Sequence, residues 1–434
     1  MLLAHRLDGL DRPTVWHEFS PLALEHGAVN LGQGFPDWDP PNFVVEAMER
    51  STNPAHGRHA NQYARSYAHM PLAEVLAADY SDRWGMPIDP ATQVATAVGC
   101  TNALYCALQG LLNPGDEAVL LEPYFDIYSS QVAMAGGRPK FVPLRPTTRD
   151  GAGSTAAAGA SKAFTLDLQE LESAITDRTK VLLLNTPHNP TGKMFSREEL
   201  EGIAEVVQNH PHLTVISDEV YEHIVFDPAK EPHVSMASIH GMFDRTLSLS
   251  SAGKTFSCTG WKVGWAIGPA HLVKAVTAVQ QWVNFSAPTP NQDAVAQALL
   301  EAKQPYGNFD TYYGHLASEY RRKRDLLSDA LKSVGMTPIV PPGGFFIMAD
   351  TSNVEGPPQA FVDEVTAASP SNPMPRDWAL SRWLTKEVGV TAIPPSAFYS
   401  PPNLHLASNL LRFAFCKGDD TILEARRRLE KYFL

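Results

Sequence analysis

Cysteine is scarce. The chain has four in 434 residues, Cys100, Cys106, Cys258 and Cys416, and no C-x-x-C pair. Such spacing builds neither a disulfide framework nor a zinc site, and it fits a reducing compartment. Long apolar runs are absent too: no stretch nears the roughly 20 residues that span a bilayer. The opening MLLAHRLDGLDRPTVW carries acidic residues and too short an apolar stretch for a secretory signal. A cytoplasmic location is expected, with import into an organelle left open. The fifteen histidines never form H-E-x-x-H, so no metal site is expected. Positive charge is in deficit: 35 Lys and Arg against 47 Asp and Glu leave −12. That balance argues against nucleic acid or an anionic membrane as the main partner.

What is present is an ordinary globular composition, 44% hydrophobic and 19% charged, long enough for two or three domains. A Gly/Pro-rich stretch, NLGQGFPDWDPP, leads into a region from about 42 to 295 where strand-like and helical runs alternate. EAVLLEP, KVLLLNTP, LTVISDE and TLSLSS are short and apolar, as buried parallel strands are. Between two of them, SREELEGIAEVVQNH places Leu200, Ile203, Ala204 and Val207 at helical spacing, behind a Ser196/Glu199 capping box. This predicts an α/β fold: a large domain, 42–295, with a mostly parallel sheet covered by helices. Residues 1–41 and 296–434 are expected to form a smaller α+β domain with an N-terminal arm. It would hold the helix SEYRRKRDLLSDALKSVG and the strands GGFFIMAD and LLRFAFC. The low-complexity stretch 146–163 reads as an exposed loop inserted in the large domain.

Ligands of open α/β sheets sit beyond the carboxyl ends of the strands. There the chain offers Asn189 after VLLLN, Asp218 and Tyr221 after LTVIS, and Ser251 and Lys254 after LSLS. Each residue has an ordinary alternative: Asn189 a turn residue, Asp218 a helix N-cap, Tyr221 a packing tyrosine, Lys254 a solvated loop lysine. Their ordered placement after successive strands favours a shared site. Gly253-Lys254-Thr255 is not the end of a nucleotide loop, because Ser248 stands where G-x-x-x-x-G-K-[ST] needs glycine. A better anion site is the start of the helix in AVGCTNALYCALQGLL, where the amides of Cys100 and Thr101 are free. Arg412, in the apolar strand NLLRFAFC, needs an anionic partner, either an internal Glu or a substrate carboxylate.

Seven stretches now carry a resemblance: NLGQGFPDW, NQYARSYAHMPL, EPYFDIY, NTPHNPTGK, SDEVYEH, SSAGKTFSCTGWKVGWAIGP and LLRFAFCKGD. In this order, over about 16–418, the chain resembles the class I, fold type I aminotransferases that use pyridoxal 5'-phosphate. Within them it is most similar to the kynurenine–oxoglutarate and glutamine–phenylpyruvate transaminases, which are also cysteine-conjugate β-lyases. The resemblance implies that an amino group moves from an aromatic, sulfur-containing or glutamine-like amino acid to a 2-oxo acid, in ping-pong order. The alternative it leaves is β-elimination from a cysteine conjugate at the same site.

Residue by residue, Lys254 matches the lysine that holds the cofactor covalently and shuttles the α-proton. Asp218 matches the carboxylate that keeps the pyridine nitrogen protonated. Tyr221 and Asn189 match partners of the cofactor's phenolic oxygen, and Phe125 the ring stacked on its pyridine. Cys100, Thr101, Ser251 and Lys262 match phosphate contacts. Tyr63 matches a phosphate contact from a neighbouring subunit, which implies a homodimer with sites near its interface. Arg412 matches the grip on the substrate α-carboxylate, Gly34 the loop over it, and Trp16 and Phe285 aromatic walls of the pocket. The chain departs from close relatives at Thr101, where they carry tyrosine, and at Ser286, where some carry histidine.

Overall fold

A computed structural model describes residues 4–58, 60–147, 163–364 and 374–434. Its main sheet has seven strands: β1 (Val94–Val98), β2 (Glu117–Glu122), β3 (Arg138–Pro143), β4 (Thr179–Asn185), β5 (Thr214–Asp218), β6 (Thr246–Ser251) and β7 (Val263–Ile267). They lie in the order β1-β7-β6-β5-β4-β2-β3. The pairs from β6 to β3 are all parallel, while β7 runs antiparallel to both β6 and β1. The expected mostly parallel sheet is present, with β7 as its reversed member.

The apolar strand runs are buried because both faces of the sheet are covered. Leu182, Leu184 and Val215 pack with Leu200, Ile203 and Val207 of the helix Arg197–Asn209 on one face. Val181, Leu183 and Ile216 pack with Leu104 and Leu108 of the helix Cys100–Leu111 on the other. Each fully buried Leu or Ile of these layers is worth about 1.5–3 kcal/mol. The helix between β4 and β5 starts where the sequence places it. Ser196 Oγ accepts from Glu199 N, and Glu199 Oε2 accepts from Ser196 N, which satisfies two amides that the helix itself leaves unpaired.

A second, antiparallel sheet is formed by β8 (Thr337–Ile339), β9 (Phe346–Asp350) and β10 (Leu410–Ala414), with Met348 opposite Arg412. The helix Tyr312–Ser333 packs there against the helix Asp419–Phe433. The N-terminal segment joins this part: Val29–Asn30 pairs with Val390–Thr391, and Ala414 N donates to Leu31 O. Most of the 146–163 loop, residues 148–162, lies outside the described residues. At its base Arg145–Pro146 pairs with Phe164–Thr165.

Candidate active site

A cavity of about 350 Å³ opens at the carboxyl ends of β4, β5 and β6. β5 ends on Asp218, which is followed by a turn rather than a helix, so the carboxylate is not an N-cap. β6 ends on Ser251, and the single helical turn Ala252–Thr255 brings Lys254 round to the cavity. Asn189 arrives on the loop after β4. That loop is anchored by Asn185, whose Oδ1 accepts from Asn189 N and whose Nδ2 donates to Asp218 O.

The anion cradle forms where three elements converge. The amides of Cys100 and Thr101 open their helix and donate to no group among the described residues, as the first turn of any helix leaves them. Lys262, in the left-handed region at φ 56°, precedes β7, and because β7 is reversed its start rather than its end meets the cavity. Close approach is secured by glycine. A Cβ on Gly264 would come 2.4 Å from Cys100 N, and one on Gly99 would come 3.2 Å from Lys262 Nζ. Ser251 lines the same end.

At the opposite end Arg412 is almost wholly buried (1% exposed). Nη1 donates to Asn189 Oδ1 at 3.0 Å and Nη2 to Gly32 O at 2.6 Å, while Nε has no partner among the described residues. No carboxylate among them lies within ion-pair distance, so the internal-Glu alternative has no residue to fill it. Instead the guanidinium sits among the rings of Phe346 (4.2 Å), Phe398 (5.1 Å) and Trp16 (5.2 Å). Burial lowers its pKa to about 10, an unusual stress on a guanidinium. Trp16 is held in place by its Nε1, which donates to Asp126 Oδ2 at 2.7 Å.

Between these ends lies Lys254, whose Nζ donates to Gly34 O at 2.8 Å. Burial brings its pKa down to about 8, with Arg412 pushing the same way and Asp218 opposing. Tyr221 is buried against Phe345, and burial followed by the Asp218 charge raises its phenol. Burial likewise raises Asp218. The loop over the site is tied down by cations. The carbonyls of Gly32, Gly34 and Phe35 accept from Arg412, Lys254 and Lys417 respectively.

All of the residues singled out in the sequence line this cavity except Tyr63 and Phe285. Those two pack edge to face on one another at 5.2 Å and are exposed, 86% and 50%. The structure adds Tyr128, Asn185 and Phe346. Tyr128 stands in the quoted EPYFDIY stretch, three residues past Phe125. Asn185 is the polar residue that ends an apolar strand, which is itself a signal. Phe346 carried no sequence signal, being one apolar residue in an apolar strand.

The family model for class I and II aminotransferases matches residues 27–429. Kynurenine–oxoglutarate transaminase of Dictyostelium discoideum is 46% identical over 96% of this chain and 94% of its own. Kynurenine–oxoglutarate transaminase 1 of Homo sapiens is 41% identical over 99% and 98%. The solved structure of Bna3p from Saccharomyces cerevisiae superposes with a TM-score of 0.90 at 30% identity, covering 100% of both chains. The chain belongs to the class I and II aminotransferases. It has the fold type I architecture and is a transaminase dependent on pyridoxal phosphate. The cavity fits such a group: an anion cradle at one end, a buried amine and carboxylate between, and an unpaired guanidinium for a second anion beyond them.

Proposed function

We propose that the enzyme moves an amino group from an aromatic, sulfur-containing or glutamine-like amino acid to a 2-oxo acid, in the manner of kynurenine–oxoglutarate transaminases. When bound, pyridoxal phosphate supplies an aldehyde and an electron-accepting ring. Cys100 and Thr101 amides, Ser251 and Lys262 would hold its phosphate. Phe125 would cover one ring face, Asp218 would pair with the ring nitrogen, and Asn189 and Tyr221 would meet the phenolic oxygen. Lys254 would attach the cofactor through its aldehyde, with loss of water, and once displaced by the substrate's amine it would take the proton from the substrate's α-carbon as a free amine.

The observation that carries this reading is Arg412, a buried cation with no carboxylate within ion-pair distance among the described residues, Asp126 acting on it only from further off. An arginine so placed is held for an anion that arrives from outside, and a substrate α-carboxylate presents the matching fork. Trp16 and Phe346, which line the cavity beside it, offer aromatic surface that favours apolar or aromatic side chains on the same substrate. Gly34 lies in the loop above.

Mixing the loaded enzyme with one amino acid at a time, without an acceptor, tests the substrate class. Aromatic and sulfur-containing donors are expected to discharge the bound cofactor's visible absorbance at least about tenfold faster than aspartate. Fast discharge by aspartate with none by aromatic donors rejects the assignment. A cysteine conjugate that yields pyruvate without an acceptor identifies β-elimination as the second activity.

The reading includes a homodimer, in which Tyr63 reaches the partner's phosphate site and Phe285 its pocket wall. The exposure of Tyr63, Phe285 and Trp282, the last 84% exposed, supports it, since large apolar patches on monomers are uncommon. Trp282→Glu is expected to shift sedimentation from dimer to monomer. A wild-type chain that sediments as a monomer at assay concentration sinks the idea. The two-unit division, 42–295 against 1–41 with 296–434, belongs to the same reading and draws support from the pairing of residues 29–30 with 390–391. So does a cytoplasmic location, supported by four unpaired cysteines and by the lack of any described helix long and apolar enough to cross a membrane.

A further inference from the structure

Asp218 receives three hydrogen bonds from its own chain. The Tyr128 hydroxyl donates to Oδ2 at 2.7 Å, Val220 N to Oδ1 at 3.2 Å, and the Cys100 thiol to Oδ1 at 3.6 Å. A carboxylate offers about four acceptor positions. Oδ1 is therefore filled, and one position on Oδ2 is left for whatever occupies the cavity that Asp218 lines.

We propose that Tyr128 and Cys100 are positioning residues that keep Asp218 an anion and leave a single Oδ2 lone pair open to the cavity. This rests on the reading of Asp218 as the partner of the cofactor's ring nitrogen and deepens it. An ionised carboxylate is needed there, because a neutral acid leaves the ring proton without its counter-charge.

Burial works against that state. It is the largest influence on Asp218 and favours the neutral acid, and the adjoining Glu219 pushes the same way. The hydrogen bonds from Tyr128, Val220 and Cys100 oppose it. Other groups face the carboxylate as well: Tyr221 from its own turn, whose phenol is raised partly by Asp218, and Lys254 from the turn after β6. Both side-chain donors are locked as donors. Burial first, and the Asp218 charge second, hold the Tyr128 hydroxyl and the Cys100 thiol well above their ordinary ranges. Both are thereby kept as protonated donors rather than rival anions. The two come from separate elements, the helices Ile127–Met134 and Cys100–Leu111. The second begins at the anion cradle, so the thiol ties the carboxylate to the helix that receives the phosphate.

The test follows the Asp218 carboxylic-acid infrared band in cofactor-free protein across a pH series, with Asp218→Asn as the blank that assigns it. In Tyr128→Phe the titration is expected to move up by about one to two pH units, the effect of losing one charge-assisted hydrogen bond. Pyridoxal phosphate affinity should fall about tenfold or more. Cys100→Ala should move the band the same way by less, and Cys100→Ser should restore it. Unchanged titration and affinity in both Tyr128→Phe and Cys100→Ala overturn the proposal. If Tyr128→Phe does not fold, Cys100→Ala decides alone, and no shift in it overturns the proposal. Asp218→Asn that binds cofactor and turns over like the wild type overturns the reading beneath it instead.

Discussion

Lys254→Ala is expected to lower transamination by at least about 10⁴-fold, because it removes the covalent attachment and the proton carrier together. Among the described residues that line the cavity there is one further lysine. Lys262, the other lysine lining the cavity, stands at the start of β7 beside Gly99 and the anion cradle. Pyridoxal phosphate should still bind the variant, since the cradle is untouched, but denaturation should then release all of it unattached. In the wild type, burial holds the Lys254 amine at a pKa of about 8. Only the neutral amine attacks an aldehyde. Capture of cofactor by the empty protein should therefore speed up about tenfold per pH unit below 8 and level off above it. Normal turnover by Lys254→Ala, or capture that is flat across this range, contradicts the assignment.

The second large effect is at Arg412. Arg412→Ala should reduce kcat/KM for both the amino acid and the 2-oxo acid by about 30- to 5,000-fold, the range for losing one partner of a buried charge pair. The loss should depend on the carboxylate. An amine lacking that group, compared with its parent amino acid, should be affected less than about threefold, so the enzyme's preference for the acid collapses. Arg412→Lys should recover little, because an ammonium cannot present the two parallel donors that a carboxylate meets. Equal losses for the amine and the amino acid would assign Arg412 a purely structural role. Asn189 shares this site through its Oδ1, so its substitutions should not add independently to those at Arg412.

How far the site was legible depended on whether a residue's signal was local. Asp218, Asn189, Ser251 and Lys254 could be found because each is a polar residue at or soon after the end of an apolar strand, and the sheet brings such positions to one edge. The same rule applied to Lys262 fails. It precedes its strand, and reversal of β7 is what turns that position towards the cavity. Tyr128 was hidden for another reason: it lies in an eight-residue helix too short to show a periodic face, and its partner is 90 residues away. For Arg412 the chain alone stated the problem, a cation in an apolar strand, and left two answers. Neutral oxygens of Asn189 and Gly32 around it, in place of a carboxylate, separate them. Tyr63 and Phe285 resemble site residues in sequence yet stand outside the cavity of a single chain, and the proposed dimer is what would give them a place in a site. Of the fold, the strands and the Ser196-capped helix were readable because burial on both faces and capping are written in adjacent residues.

The three carbonyls of the 32–35 loop have a further consequence. Two of their donors, Arg412 and Lys254, line the cavity and are the groups that the proposed function assigns to the substrate carboxylate and the cofactor. The loop thus competes, with its own backbone, for one donor on each of these two side chains. Occupancy and loop release are then linked in both directions, as coupled equilibria require. Each ligand that takes a cation loosens the loop at that point, and any change that loosens the loop makes the ligand bind more tightly. Lys417 on Phe35 takes no part in this exchange, because it does not line the cavity.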